Sequence, residues 1–329
     1  MLVAVPPGAD CVLMQEDCEA LENADGSVSV RIQAVPRPGQ HIRRAGEDIA
    51  LGGTILAAGT RLTPPALGLA ASIGLAQLPV ARRPRVALFS TGDELVLPGT
   101  VAPQDMPPGS IYNSNRYFLR ALLQRLGCEV VDGGILPDDR AQTVQALHTA
   151  AQDCDLILTS AGVSVGEEDH VKPAVEQLGE LGLWKIAMKP GKPTTFATVP
   201  VKGHDGQRVS KAVFSLPGNP ASALVTFHLF VLPSLHQQSG VSPAGLPRVP
   251  VVLAEDLPTD SRPEYHRAVV TVGRDGVLRA ASTGGQRSSR VASLRSANAL
   301  LCMPPGGKGK LDKGSRVEAL LMSALRAEQ

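Results

Sequence analysis

The chain has 329 residues, 43% of them hydrophobic and 19% charged, and a formal net charge of +1. That is the profile of a folded globular protein too long for one ordinary core, so two or three domains are expected. A charge balance this near neutral supplies no global field for nucleic acid or acidic membranes, no apolar run is long enough to span a bilayer, and the N-terminus does not read as a signal peptide.

Residues 1–82 read as a β-rich domain with one short helix. Cys11–Gln15 and Val28–Val35 alternate as strands do, Asp25-Gly26 is a hairpin signal, and Pro64 and Pro65 open a helix over Pro65–Ile73 that Gly74 ends. Arg43 and Arg44 precede the acidic turn containing Asp48, and residues 81–84 form a linker. A solvated turn is the plain reading for the basic runs at 41–44 and 308–313, and it is favoured for the second. The cysteines at 11, 18, 128, 154 and 302 are odd in number and lack zinc or redox spacing. They predict reduced thiols in a cytoplasmic protein.

Residues 83–240 alternate strand and helix. Strands are expected at Val86–Phe89, Glu129–Val131, Leu156–Leu158, Lys185–Ala187 and Ala212–Phe214. Helices are expected from Asn113 or Ser114 to Leu126, over Ala141–Gln152 and Asp169–Leu178, and from Pro220 to about His236. This order predicts an α/β fold: a three-layer, mostly parallel sheet covered on both faces. Residues 245–329 change pattern. Five short strands, Val249–Leu253, Glu264–Val272, Val277–Ala281, Ala297–Met303 and Val317–Met322, predict a small β-barrel or sandwich.

The chemistry concentrates between Asp155 and Pro220. Three apolar runs there lead into loops of small residues, Gly and Pro, and ligands of α/β sheets bind where loops leave the carboxyl ends of strands. One loop carries Glu167, Glu168 and Asp169. The next carries Lys189 and Lys192, pinned between Pro190 and Pro193. The third is Pro217-Gly218-Asn219-Pro220. Together they read as an anion-handling site. Asp93 with Glu94, Asp138 with Asp139, and Asp169 all follow strand ends. Helix caps would explain some of them, but their common sheet edge favours a Mg²⁺ site. Gly162-Val163-Ser164-Val165-Gly166 matches the serine-hydrolase pattern, which makes a hydrolase using Ser164 the alternative enzyme. A nucleophile elbow must turn directly from strand to helix, and here the helix begins too late, so the match reads as chance. No Walker A or G-x-G-x-x-G sequence occurs, and lone histidines such as His170 and His228 read as surface or core residues.

The segments STGDEL, SAGVSVGEEDHVK, KIAMKPGKP, SLPGNPAS and RSANALL, with GADCVLMQED and HIRRAGEDIALGGTILAAGTRL upstream, resemble in register the molybdenum insertase family. That family comprises bacterial MoeA and the E domains of plant Cnx proteins and gephyrin; the RSSRVASLRSANALL wording is nearer the plant type. The resemblance covers essentially the whole chain. It implies an enzyme that cleaves adenylylated molybdopterin and inserts molybdate at its dithiolene sulfurs with a divalent metal. It implies that Lys189, Lys192 and Pro193 sit at the molybdate pocket, completed by Ser222, Arg267 and Ser288. Glu94, Asp138 and Asp169 then serve the metal and pterin phosphate, with Asp48 a further acid and Lys185 a lysine facing the site. Thr91, Gly92, Ser164, Gly166, Pro217 and Asn219 fall on the family's substrate loops. Homodimerisation and a molybdopterin adenylyltransferase partner domain are implied as well. A non-catalytic dimeric scaffold of the gephyrin type is the other class, and the intact acids and lysines favour the enzyme. The adenylyltransferase fold itself is a third option, against which the appended β-domain argues. Two departures stand out: Ala161 replaces a family glycine, and the family's N-terminal segment, with its dimerisation region, is expected to be lacking.

Overall fold

The computed structural model describes residues 4–162, 169–203, 206–307 and 309–327. The chain forms two compact units, Met1–Ala58 with Leu62–Gln77, and Gly59–Arg61 with Leu78–Gln329. In the first, strands β1 (Cys18–Glu22) and β2 (Val28–Ile32) pair as an antiparallel hairpin, and helix α1 spans Pro64–Ser72. Thr63 caps α1 by accepting from the Ala66 amide at 3.4 Å. The strand expected at Cys11–Gln15 does not form. Val12 donates one backbone bond to Gln40, and a short 3₁₀ turn at Gln15–Asp17 then leads into β1.

The second unit contains an α/β layer and a barrel. The α/β elements are β3 (Arg85–Thr91), a small ladder of β4 (Leu95–Val96) with β5 (Ile111–Tyr112), α2 (Asn115–Arg125), β6 (Glu129–Leu136), α3 (Arg140–Asp153), β7 (Leu156–Ser160), α4 (Val171–Leu178), β8 (Glu180–Trp184), β9 (Thr195–Lys202), β10 (Arg208–Leu216), α5 (Pro220–Thr226) and α6 (Leu232–Gln238). The sheet order is β6-β3-β7-β10-β9-β8. Alternation along β3 sends Ala87 and Phe89 to the face covered by α3 and α4, and Val86 and Leu88 to the face covered by α2 and α5.

Two sequence expectations need correction here. Lys185–Ala187 is not a strand: β8 ends at Trp184, and Lys185 turns the chain with φ 60°. Strand β9 was not anticipated, since Pro200 in its middle argues against a ladder position. It runs antiparallel to both β10 and β8. Strand β8 therefore points the same way as β6, β3, β7 and β10, and its carboxyl end delivers residues 185–194 to the same sheet edge as theirs. The helix after Pro220 is also interrupted. A π turn over Phe227–Val231 joins α5 to α6 just before Pro233, which has no N–H to give the preceding turn.

The barrel comprises β11 (Arg248–Leu253), β13 (Glu264–Val272), β14 (Leu278–Ser282), β15 (Ala299–Met303) and β17 (Arg316–Leu321); β12 (Leu257–Thr259) pairs with β16 (Gly309–Leu311), and β18 (Arg326–Ala327) flanks β13. Order β14-β11-β17-β15-β13 closes because β13 also pairs with β14. Barrel and sheet share a core: Met188 and Val225 pack in one cluster with Leu300, Leu320 and Met322.

Candidate active site

A cavity of about 710 Å³ lies at the sheet edge where β3, β6, β7 and β10 end. That size suits a small-molecule ligand. Glu94 reaches it after β3, Asp138 after β6, and Asp169 before α4, so three adjacent strands each deliver one acid. Thr91 and Gly92 form its floor beside Glu94. Gly92 has φ 121°, a conformation that strains any L side chain, so the turn favours glycine. Asp93 and Asp138 are tied reciprocally, each amide donating to the other's carboxylate at 3.3 Å. Asp139, not Asp138, caps α3, accepting from the Gln142 amide at 2.7 Å. The N-cap position of α4 is His170, whose side chain makes no capping hydrogen bond.

Among the described residues, no group of three or more His, Cys, Asp or Glu side chains clusters closely enough to hold a metal unaided. The acids thus share a cavity without forming a ready cage. Ser164, Gly166, Glu167 and Glu168 lie outside the described residues. Strand β7 ends at Ser160 and α4 begins at Val171, and the serine-hydrolase alternative, which needs Ser164 as its nucleophile, therefore also falls outside the described residues.

Pro193, Pro217 and Asn219 also line the cavity, and Ser289 and Val291 close it from the barrel. The lysines stand differently from expectation. Lys185 does not face the cavity; its Nζ lies 3.9 Å from the Trp184 ring centroid, a cation–π contact. Lys192 is exposed. Lys189 is fixed by its backbone, with its amide donating to the Pro263 carbonyl at 2.9 Å and its carbonyl accepting from the Tyr265 amide at 2.8 Å. Its Nζ is ion-paired with Glu264 at 2.8 Å and Asp260 at 3.1 Å. Glu264, hydrogen-bonded to it, raises the Lys189 pKa, and Lys189 in turn lowers that of Asp260 to about 2. Gly191, φ 116°, lets this loop approach Thr226 of α5 more closely than a Cβ would permit.

Arg267 is neither a solvated strand residue nor a wall of the cavity. It is fully buried. Its Nε and Nη2 donate to Ser293 Oγ at 3.2 Å, its Nη1 to the Gln286 carbonyl at 3.3 Å, and its Nη2 to the Arg287 carbonyl at 3.0 Å. All of these acceptors are neutral, and burial lowers its pKa to about 10, with Arg290 adding to the effect. The guanidinium holds the 286–293 loop in place. The Ser288 carbonyl of that loop accepts from the Ala221 amide at 3.0 Å, which sets it beside buried Ser222 at the start of α5. Ser222, Arg267 and Ser288 thus gather at the seam between barrel and α5, next to the cavity wall formed by Ser289.

Three family models match the chain: "MoeA N-terminal region (domain I and II)" over residues 3–74, "probable molybdopterin binding domain" over 87–237, and "MoeA C-terminal region (domain IV)" over 250–322. A molybdopterin molybdenumtransferase of Haemophilus influenzae is 36% identical across 95% of this chain and 74% of its own length. The chain belongs to the molybdenum insertase family. A gephyrin of Dictyostelium discoideum is also 36% identical, across 98% of this insertase chain but 47% of the gephyrin. A solved structure of a molybdopterin biosynthesis MoeA protein from Pyrococcus horikoshii covers 96% of this chain and 72% of its own, with a TM-score of 0.73 and 26% identity.

The insertase fold also assembles residues that sequence reasoning passed over. Glu264 and His266 are both buried, with His266 Nε2 3.2 Å from Glu264 Oε2. Burial lowers the His266 pKa. The signal was available: in EYHRAVV these two alternate onto the same core-facing side as Ala268 and Val270. Asp260 gave no such signal, because it sits in a loop. Asp48 belongs to the first unit, where it pairs with Arg43 at 2.8 Å. Among the described residues, no helix is long and apolar enough to cross a membrane.

Proposed function

We propose that this chain is a molybdopterin molybdenumtransferase that takes adenylylated molybdopterin, releases AMP and places molybdate on the dithiolene sulfurs. One observation carries the reading: three adjacent strand ends bring Glu94, Asp138 and Asp169 to one cavity, whose barrel wall adjoins a buried, acid-free guanidinium. The acids suit the phosphate end of the substrate. Mg²⁺ is commonly held by one or two carboxylates together with substrate phosphates, not by an all-protein cage. The dispersed acids fit that mode, and Glu94 and Asp138 are the residues that would hold it. When bound, the ion supplies neutralisation of phosphate charge.

Molybdate is the substrate oxyanion. Its tetrahedral dianion calls for cations and hydroxyl or amide donors. Ser222, Ser288 and the Lys189–Pro193 loop provide that set at the barrel seam, with Arg267 holding the Ser288 loop from behind. Arg267 already fixes that loop, so the loop requires little reorganisation when charge arrives. The acids and cations support an enzyme over a scaffold. We further infer a cytoplasmic location, from the free cysteines, and, by family likeness, a homodimer that receives its substrate from an adenylyltransferase domain.

The test is to mix the purified chain with adenylylated molybdopterin, Mg²⁺ and molybdate, and to follow AMP release and activation of an apo-molybdoenzyme. AMP release that needs both Mg²⁺ and molybdate is expected. Absence of release with authentic substrate would sink the reading.

A further inference from the structure

Lys189 is not a free cation. An ammonium has three N–H donors, and here two are taken, by Glu264 Oε1 at 2.8 Å and Asp260 Oδ2 at 3.1 Å. The two acids are not equivalent. The Glu264 side chain is 6% exposed and belongs to β13, whose backbone pairs with Lys189 itself. Glu264 also contacts His266. It cannot leave Lys189 without breaking the seam between barrel and sheet.

Asp260 is differently placed. Its side chain is 28% exposed, and it sits in the turn between β12 and β13. Its other oxygen is already satisfied: Oδ1 accepts from the Arg262 amide at 3.1 Å and Ser261 Oγ at 3.3 Å, with Arg262 Nε 3.6 Å away. Withdrawal of Lys189 would leave Asp260 hydrogen-bonded, charge-paired and in contact with water. The charged or titratable groups around Lys189 are therefore one fixed acid, one replaceable acid, His266 and the competing cation Arg262.

We propose that Asp260 is a built-in competitor for the oxyanion: it shares a Lys189 donor with the anion and yields it when molybdate binds, while Glu264 holds the lysine in position. This rests on the reading of Lys189 as a molybdate ligand. The arrangement holds the ammonium in place, and it weakens binding of the anion by the cost of displacing a carboxylate. Weak retention suits an anion that has to be passed on to the dithiolene.

The test is molybdate titration calorimetry on the full chain and on Asp260→Asn, Lys189→Ala and the double variant. Asp260→Asn is expected to bind molybdate about two- to fivefold more tightly, the range for displacing one partly screened ion-pair partner. In the Lys189→Ala background the same change should have no effect. A gain that persists without Lys189 would show a general field effect and overturn the proposal, as would no gain at all while Lys189→Ala loses affinity. Unchanged affinity in Lys189→Ala would instead remove the underlying reading of the lysine.

Discussion

The Tyr265 amide donates to the Lys189 carbonyl across 2.8 Å, so the first barrel strand of the seam is hydrogen-bonded to the lysine loop of the sheet domain. The loop that carries the cation is thereby placed by the barrel. Beneath it, Leu300 of β15 packs with Met188 and Val225.

Truncating that contact should be felt across both layers. Leu300→Ala is expected to cost about 2–5 kcal/mol, as for other fully buried leucines. Urea unfolding followed by far-UV circular dichroism should shift as a single transition. Separate transitions for sheet and barrel would show that the shared core does not couple them.

Arg267 bonds with acceptors spread around a planar fork, and lysine offers one compact ammonium in its place. Arg267→Lys should loosen the 286–293 loop that the guanidinium anchors and so lower molybdate affinity by up to about tenfold, the scale of one lost intramolecular hydrogen bond. Binding of adenylylated pterin should change little. Equilibrium dialysis with molybdate against fluorescence titration with the pterin separates the two.

Asp138→Asn keeps the shape and removes the charge at the phosphate end of the cavity. The variant should fold, with its thermal midpoint near that of the parent, yet lose Mg²⁺-dependent AMP release. Release at the parent rate with the same Mg²⁺ dependence would reduce Asp138 to the partner of the Asp93 amide.

Ala161 lines the cavity with φ 73°, in the region where a Cβ is strained. The left-handed conformation costs a non-glycine residue about 1–2 kcal/mol, offset in part by the greater entropy that glycine loses on folding. Ala161→Gly should therefore raise stability by about 0.5–1 kcal/mol in chemical denaturation. A loss would mean that the methyl group's contacts outweigh the strain.

His228 is buried, with Nδ1 2.8 Å from the Leu224 carbonyl, and desolvation lowers its pKa from 6.5 to about 4. Below about pH 6.5 the unfolded chain takes up a proton that the folded chain refuses. Stability should therefore fall as pH drops from about 6.5 to about 4, by on the order of 3 kcal/mol from this residue. Comparing urea midpoints of the parent and His228→Leu over that range isolates the contribution.

The strands buried on both faces were legible in the sequence because continuous apolar runs bounded by Gly and Pro leave little choice; Val86–Leu88 and Leu156–Leu158 are such runs. The acids were legible for a related reason. Glu94, Asp138 and Asp169 fall in the loops after three of the parallel strands, and a parallel sheet collects such positions at one edge. Lys185 and β9 were not legible. The chain turns at Lys185 through a backbone conformation that its residue type does not announce, and Pro200 masks a strand flanked by two antiparallel neighbours. The partners of Lys189 were hidden for another reason: Asp260 and Glu264 lie about seventy residues away, and only barrel closure brings them to the lysine.

The reversal of direction at β9 has a practical use. The connection between Lys202 and Arg208 turns at the end of the sheet opposite the site loops. The seven residues of β9 after Thr195 separate the two ends, roughly 23 Å of extended chain. A fluorophore or surface tether attached at that connection would report on the protein without touching its chemistry.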